Sequence, residues 1–206
     1  MGYFPFFMDI KGKRCMIAGG GKTALRKLEK LMMFEPEIIL ISPEICGEIE
    51  QISGISKVCR RFRDEDLNGA FMAVAATCDE VVNQHIYDLC CEKNILTNTV
   101  DDINKCGFIF PALVRKDNVT VGITTSGSSP IFARSIRERV DELLDSRQMN
   151  LSKLLSRYRI IIKDRFDSEH LRKKASERIL DMCLACQELP DDMQINSILE
   201  AVEKEK

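Results

Sequence analysis

Short apolar runs alternate with stretches of helical spacing through about residue 105 of the chain. Cys15–Ala18, Ile38–Ile41 and Phe71–Ala76 are apolar without interruption, as strands covered on both faces are. Between the first two, Lys22–Phe34 places Leu25, Leu28, Leu31 and Met32 on one helical face and stops at Glu35-Pro36. Lys57–Phe62 reads as a weaker third strand after a short helical segment. Asp79–Lys93 reads as a helix with Val82, Ile86, Leu89 and Cys90 inward, and Ile95–Val100 as a fifth strand ending at Asp101-Asp102. This alternation predicts an α/β fold with a parallel sheet.

The pattern then changes. Phe108–Val114 and Val119–Thr125 are strand-like about a polar turn at Arg115–Asn118, which predicts antiparallel pairing. Ser129 and Pro130 have the character of an N-cap and a first helical position, opening a helix through Ile131, Ala133, Ile136, Val140 and Leu143-Leu144. From about Asn150 onward the chain is helical and charged, with Pro190 separating the last segment.

Composition narrows the class without naming it. Of 206 residues, 45% are hydrophobic and 30% charged, as in ordinary globular proteins, and the formal net charge of -2 gives no basic face for nucleic acid. Nine cysteines, an odd number at irregular positions, suit reduced thiols in a cytoplasm better than a disulfide framework. The apolar opening Met1–Ile10 lacks a basic leader and a small-residue cleavage site, and no later run reaches the roughly 20 apolar residues of a membrane span. A soluble, cytoplasmic chain is expected.

The chemistry begins at Cys15–Lys27. Strand, glycine turn and helix follow one another there, with the pattern G-x-G-x-x-A at Gly19, Gly21 and Ala24. Gly19 allows the tight turn, Gly21 the approach of a pyrophosphate, and Ala24 close helix packing, while N–H groups at the helix start face the phosphates. The same glycines alone would equally make an ordinary turn. The strand before and the amphipathic helix after favour a dinucleotide corner of Rossmann type.

Gly19–Lys27, Ala75-Ala-Thr77, Val82-Asn83, Asn98-Thr-Val-Asp101, Phe108-Ile-Phe-Pro111 and Thr125–Arg134 stand in an order and spacing that resemble precorrin-2 dehydrogenase, found alone or as the N-terminal part of siroheme synthase. The resemblance covers roughly the first 145 residues. It implies a Rossmann-type NAD-binding domain over residues 1–113, a mixed dimerisation segment over 114–148 and a C-terminal helical domain over 149–206. It also implies NAD-dependent oxidation of precorrin-2 to sirohydrochlorin by a homodimer, and in some members insertion of ferrous iron. Fused siroheme synthases carry a methyltransferase domain that this sequence lacks, so a separate enzyme is expected to supply precorrin-2.

The resemblance places cofactor contacts at Lys22, Thr23, Pro43 and Glu44, and substrate contacts that include Asn98. Ser42, at the end of the second strand, could bond a ribose, and the absence of a neighbouring Arg or Lys leans towards NAD over NADP. Thr77 ends the fourth strand, facing the nicotinamide half. Hydride loss must be accompanied by proton removal, which calls for a carboxylate. Asp101 and Asp102 are near-equal candidates on the residues alone, either one able to cap the following turn, and the resemblance selects Asp101 as catalytic acid/base. A polycarboxylate substrate calls for cations and helix N-termini. Ser128 in the Ser126–Ser129 turn and Arg134 are the candidates, with Lys116 and Arg137 able to add charge; the alternative is plain helix capping plus a solvated basic face, which is favoured for Arg137 and Arg139. Cys183-x-x-Cys186 is a single pair in a helical segment, which reads as core, so no metal ligands are assigned. A non-catalytic NAD-binding redox or tetrapyrrole-carrier module is the alternative class.

Overall fold

A computed structural model describes residues Tyr3–Glu205. They form two compact units, one running up to Pro111 and including Ser126–Ser128, the other Ala112–Thr125 with everything from Ser129 onward. In the first unit β1 (Arg14–Ala18), β2 (Glu37–Ile41), β3 (Ser56–Val58), β4 (Met72–Ala75) and β5 (Leu96–Thr99) make one parallel sheet in the order β3-β2-β1-β4-β5. The chain steps outward from β1 to β3, then returns to β4 on the other side. The carboxyl ends of β1 and β4 are thus the topological switch point, where open α/β sheets bind their ligands.

Period-two alternation distributes the strands' side chains into two cores. Cys15, Ile17, Leu40 and Val74 pack with Leu28 and Leu31 of α1 (Lys22–Met32). Met16, Ala18, Ala73 and Ala75 pack with Ile86 and Cys90 of α3 (Glu80–Lys93). Each Val, Leu, Ile or Met among them contributes about 1.5–3 kcal/mol by leaving water, and each Ala less. The short α2 (Gly47–Glu50) adds Ile49. Helix α1 ends as the sequence predicts: Glu35, before Pro36, takes φ 56 and leaves the helical path.

Two expected strands differ. The ladder of β3 stops at Val58, because Arg60 turns aside to grip Asp66 with bonds of 2.8 and 2.6 Å, and Asp66 also accepts from the Arg63 N–H at 2.8 Å. Phe108–Phe110 joins no sheet. Its rings fill the α1-side core while Gly107 donates to Thr97 O (2.8 Å), covering the free edge of β5. The Arg60 bond, against some burial cost, holds the Asp66 carboxyl below its ordinary range. Its folded value being depressed, the stabilisation is complete above the unfolded carboxylate range and is lost as pH falls through the lowered folded value. Asp66→Asn should cost about 1–3 kcal/mol in urea unfolding at pH 7, with the difference shrinking in that acid window.

In the second unit β6 (Ala112–Lys116) and β7 (Val119–Ile123) pair antiparallel about Asp117-Asn118, with Asp117 at φ 49. Ser129 and Pro130 open α4 (Pro130–Leu143) as expected. Helices α5 (Ser146–Arg165), α6 (Glu169–Ala185) and α7 (Asp192–Glu203) share a core that includes Tyr158, Ile162, Phe166, Ile179 and Leu199. Of the apolar run Ile160–Ile162, Ile162 is in that core while Ile160 and Ile161 are exposed, because consecutive helical residues point about 100° apart. Cys183 is buried and Cys186 lies just past α6. The charged end Glu203–Lys206 reads from its sequence as a frayed terminus; it is described to Glu205, and Lys206 lies outside the described residues. Among the described residues, no helix is long and apolar enough to cross a membrane.

Candidate functional site

At the switch point β1 runs into three glycines with different duties. Gly19 has φ 120, and a Cβ there would stand 2.2 Å from Ala76 O; a Cβ on Gly20 would stand 2.1 Å from Glu44 O. Both are wedged between the loops after β4 and β2, and held by Gly19 N–H to Ile41 O and Cys46 N–H to Gly20 O, each 2.9 Å. Gly21 has nothing within 4 Å of its Cβ position and begins α1 with no side-chain cap. The first-turn N–H groups of Lys22 and Thr23 therefore have no intrahelical acceptor, and they lie beside open space at the positive end of the dipole. That cradle fits a dinucleotide pyrophosphate. Ala24, fully buried, lets α1 approach the sheet.

The flanking loops are tightly built. The buried Ser42 hydroxyl donates to Glu44 O at 2.6 Å, so its proton is spent inside its own loop and a ribose could find only an acceptor there. Pro43 and Glu44 are exposed. After β4, Thr77 is clamped by the buried Asn83 of α3: Asn83 Oδ1 accepts from Thr77 N (3.1 Å) and Oγ1 (2.8 Å), and Nδ2 donates to Thr77 O (3.1 Å). The Asp79 carboxylate caps α3 from Val81 N and Val82 N.

Beyond β5, neighbouring aspartates separate by role. Asp102 accepts from Asn104 N (3.1 Å) and pairs with Lys105 (3.0 Å), whose hydrogen bond is the main cause holding its carboxyl below the ordinary range. It caps the 3-10 turn at Ile103–Lys105. Asp101 is exposed at φ 62, a backbone region that Asp and Asn tolerate better than most residues. No hydrogen bond or ion pair engages its carboxylate among the described residues. Behind it, Asn98 is buried, and its Nδ2 donates to Phe108 O (3.0 Å) and Cys106 Sγ (3.3 Å). Asn98, expected as a substrate contact, pins this segment through its Nδ2, and its Oδ1, like Thr99 Oγ1, is buried without a partner. Burial pushes the Cys106 and Cys90 thiols up, and Cys15 to about 11, so these thiols are protonated and inert near neutral pH.

The residues of the expected carboxylate cradle are described unit by unit. Ser126–Ser128 belongs to the first, where a Cβ on Gly127 would come within 3.1 Å of Ile103 Cδ1. In the second unit the Ser129 hydroxyl accepts from Phe132 N (3.4 Å) and the Ser129 N–H donates to Thr125 Oγ1 (3.1 Å). The expected cations are paired there too: Arg134 with Glu138 (3.0 Å), Arg137 with Glu138 (3.4 Å) and Lys116 with Asp141 (3.2 Å). Among the described residues no three His, Cys, Asp or Glu side chains are grouped to hold a metal ion.

Three residues that the sequence reading quotes within motifs but gives no role are Gly20, Asn83 and Lys27. The third consecutive glycine, a polar residue on the inner face of α3, and a lysine between Ala24 and Leu31 on the apolar stripe of α1 were the available signals.

Known proteins agree with this geometry. The chain is 35% identical over 184 residues to a siroheme synthase of Thioalkalivibrio sulfidiphilus, covering 88% of this chain and 38% of that protein. It is 35% identical over 182 residues to one from Blochmanniella pennsylvanica (87% and 38%) and 33% identical over 181 residues to one from Photorhabdus laumondii (86% and 38%). The chain thus spans less than two-fifths of the length of these relatives. The solved structure of SirC, a precorrin-2 dehydrogenase, matches 98% of this chain and all of its own with a TM-score of 0.75 at 22% identity, which shows a shared fold. A family model described as "Putative NAD(P)-binding" matches residues 6–112, more than half of the chain and nearly all of the first unit, so the protein belongs to this NAD(P)-binding family.

Proposed function

We propose that the chain is an NAD-dependent dehydrogenase that oxidises precorrin-2 to sirohydrochlorin for siroheme formation. The carrying observation is the contrast at the end of β5: Asp102 is committed to a cap and an ion pair, while Asp101 presents an uncommitted carboxylate at the carboxyl edge of the sheet that holds the glycine corner. Relatives named siroheme synthase that align over 86–88% of the chain support the reading. When bound, NAD accepts a hydride from the macrocycle, so each turnover also releases one proton from it. Asp101 is placed to take that proton as general base. Gly19 and Gly21 would shape the pyrophosphate cradle, Lys22 and Thr23 would supply its N–H groups, and Thr77, fixed by Asn83, would face the nicotinamide half.

Glu44, exposed after β2 with no Arg or Lys between Ser42 and Cys46, would repel a 2′-phosphate and favours NAD over NADP. Ser128 and Arg134 are assigned to substrate, and Asn98 acts through its buried amide. Residues 1–113 are assigned to the cofactor domain, 114–148 to a dimerisation segment and 149–206 to the helical domain of a cytoplasmic homodimer. Anaerobic mixing with precorrin-2 and NAD should give the sirohydrochlorin spectrum together with stoichiometric NADH. NAD binding without turnover would instead make the chain a non-catalytic NAD-binding module.

A further inference from the structure

We infer that Lys27 receives a carboxylate of the tetrapyrrole, an inference that rests on the function proposed above. Lys27 stands on the buried stripe of α1, three residues from Ala24 and four from Leu31, so its stem is drawn inward and its ammonium lies over the Phe110 ring at 4.3 Å. The Phe110 ring packs on Phe108 at 5.3 Å, which keeps that side of the ammonium dry. Two other α1 cations are engaged: Lys30 donates to Pro111 O at 2.7 Å and Arg26 to Thr23 Oγ1 at 3.1 Å. Lys27 has no carboxylate or carbonyl acceptor within hydrogen-bond reach among the described residues.

A half-buried ammonium with no anion is costly, and the cation–π contact offsets only part of that cost. Burial, followed by the charge of Lys30, pulls the Lys27 ammonium below its ordinary range. Such a group gains most from an anion that arrives with a ligand. The dinucleotide is not the source of that anion. The pyrophosphate cradle is at Gly21–Thr23, and Lys27 lies about 7 Å further along the helix axis. The carboxylate whose field reaches Lys27 is that of Asp101, just past the end of β5. An anion at Lys27 therefore sits on the side of the proposed base, where a macrocycle bearing carboxylates would lie.

The test uses the full chain, sirohydrochlorin as the binding probe, and NAD. Lys27→Met keeps an apolar stem over Phe110 and removes the charge; Lys27→Arg keeps the charge. Fluorescence titration should show sirohydrochlorin binding weakened at least about fivefold in Lys27→Met and largely recovered in Lys27→Arg, with NAD affinity within about twofold of wild type in both. The melting temperature of Lys27→Met should be no lower than wild type, since a desolvated charge has been removed. A smaller loss of sirohydrochlorin binding, or an equal loss of NAD binding, overturns the inference and leaves the proposed function standing. A wild-type chain that binds no sirohydrochlorin overturns both.

Discussion

Asp101→Asn should lower kcat/KM for precorrin-2 by about 10²–10⁴-fold while leaving NAD affinity and melting temperature close to wild type. Asparagine is the informative replacement because Asp101 sits at φ 62. Asn adopts that left-handed conformation about as readily as Asp, so the carboxylate is lost without moving the backbone. Asp101→Ala would add a conformational cost of roughly 1 kcal/mol and mix strain with chemistry. Asp102→Asn is the matched control. Its side chain caps Asn104 N and pairs with Lys105, so its loss should loosen the turn at Ile103–Lys105 and lower turnover much less. Steady-state rates with precorrin-2 and NAD decide between the two carboxylates, and full activity in Asp101→Asn would remove it from the mechanism.

The separation of these aspartates shows what a sequence can and cannot disclose. The strands were legible because a parallel sheet buries both faces, so Cys15–Ala18, Ile38–Ile41 and Phe71–Ala76 had to be apolar throughout. The cap at Ser129-Pro130 was legible because it is a local device, complete within four residues. Phe108–Phe110 misled because an apolar run reports burial and not ladder pairing; its rings enter the core from a covering segment. The role open to Ser42 was not fully legible for a related reason: a hydroxyl at a strand end offers a donor and an acceptor, and only the path of Ser42–Glu44 shows that the donor is spent on its own loop. Asn83 and Lys27 act through partners 6 and 83 residues away in the chain, at Thr77 and Phe110, which no local pattern records.

The glycine corner allows the sharpest division between folding and binding. Gly20→Ala should destabilise the protein by more than about 3 kcal/mol or prevent folding. Its new methyl would meet Glu44 O at 2.1 Å and Ile45 Cα at 2.9 Å, backbone atoms that cannot rotate aside as a flexible side chain could. Displacing them breaks the Cys46 N–H bond to Gly20 O and moves the β2 loop that carries Ser42–Glu44. Gly19→Ala should do comparable damage, through the 2.2 Å approach to Ala76 O and a φ of 120 that an L-residue resists. Gly21→Ala should behave in the opposite way. Gly21 has φ -90, which any residue adopts, and nothing lies within 4 Å of its Cβ position, so the melting temperature should stay near wild type. The added methyl projects into the open space proposed above for the pyrophosphate, so NAD should bind at least about tenfold more weakly, and the rise in melting temperature expected of the wild type with saturating NAD should shrink. Melting curves of the three variants with and without NAD check all of this. Loss of stability in Gly21→Ala, or its absence in Gly20→Ala, would show that the three glycines do not divide their duties between scaffold and cradle as their surroundings require.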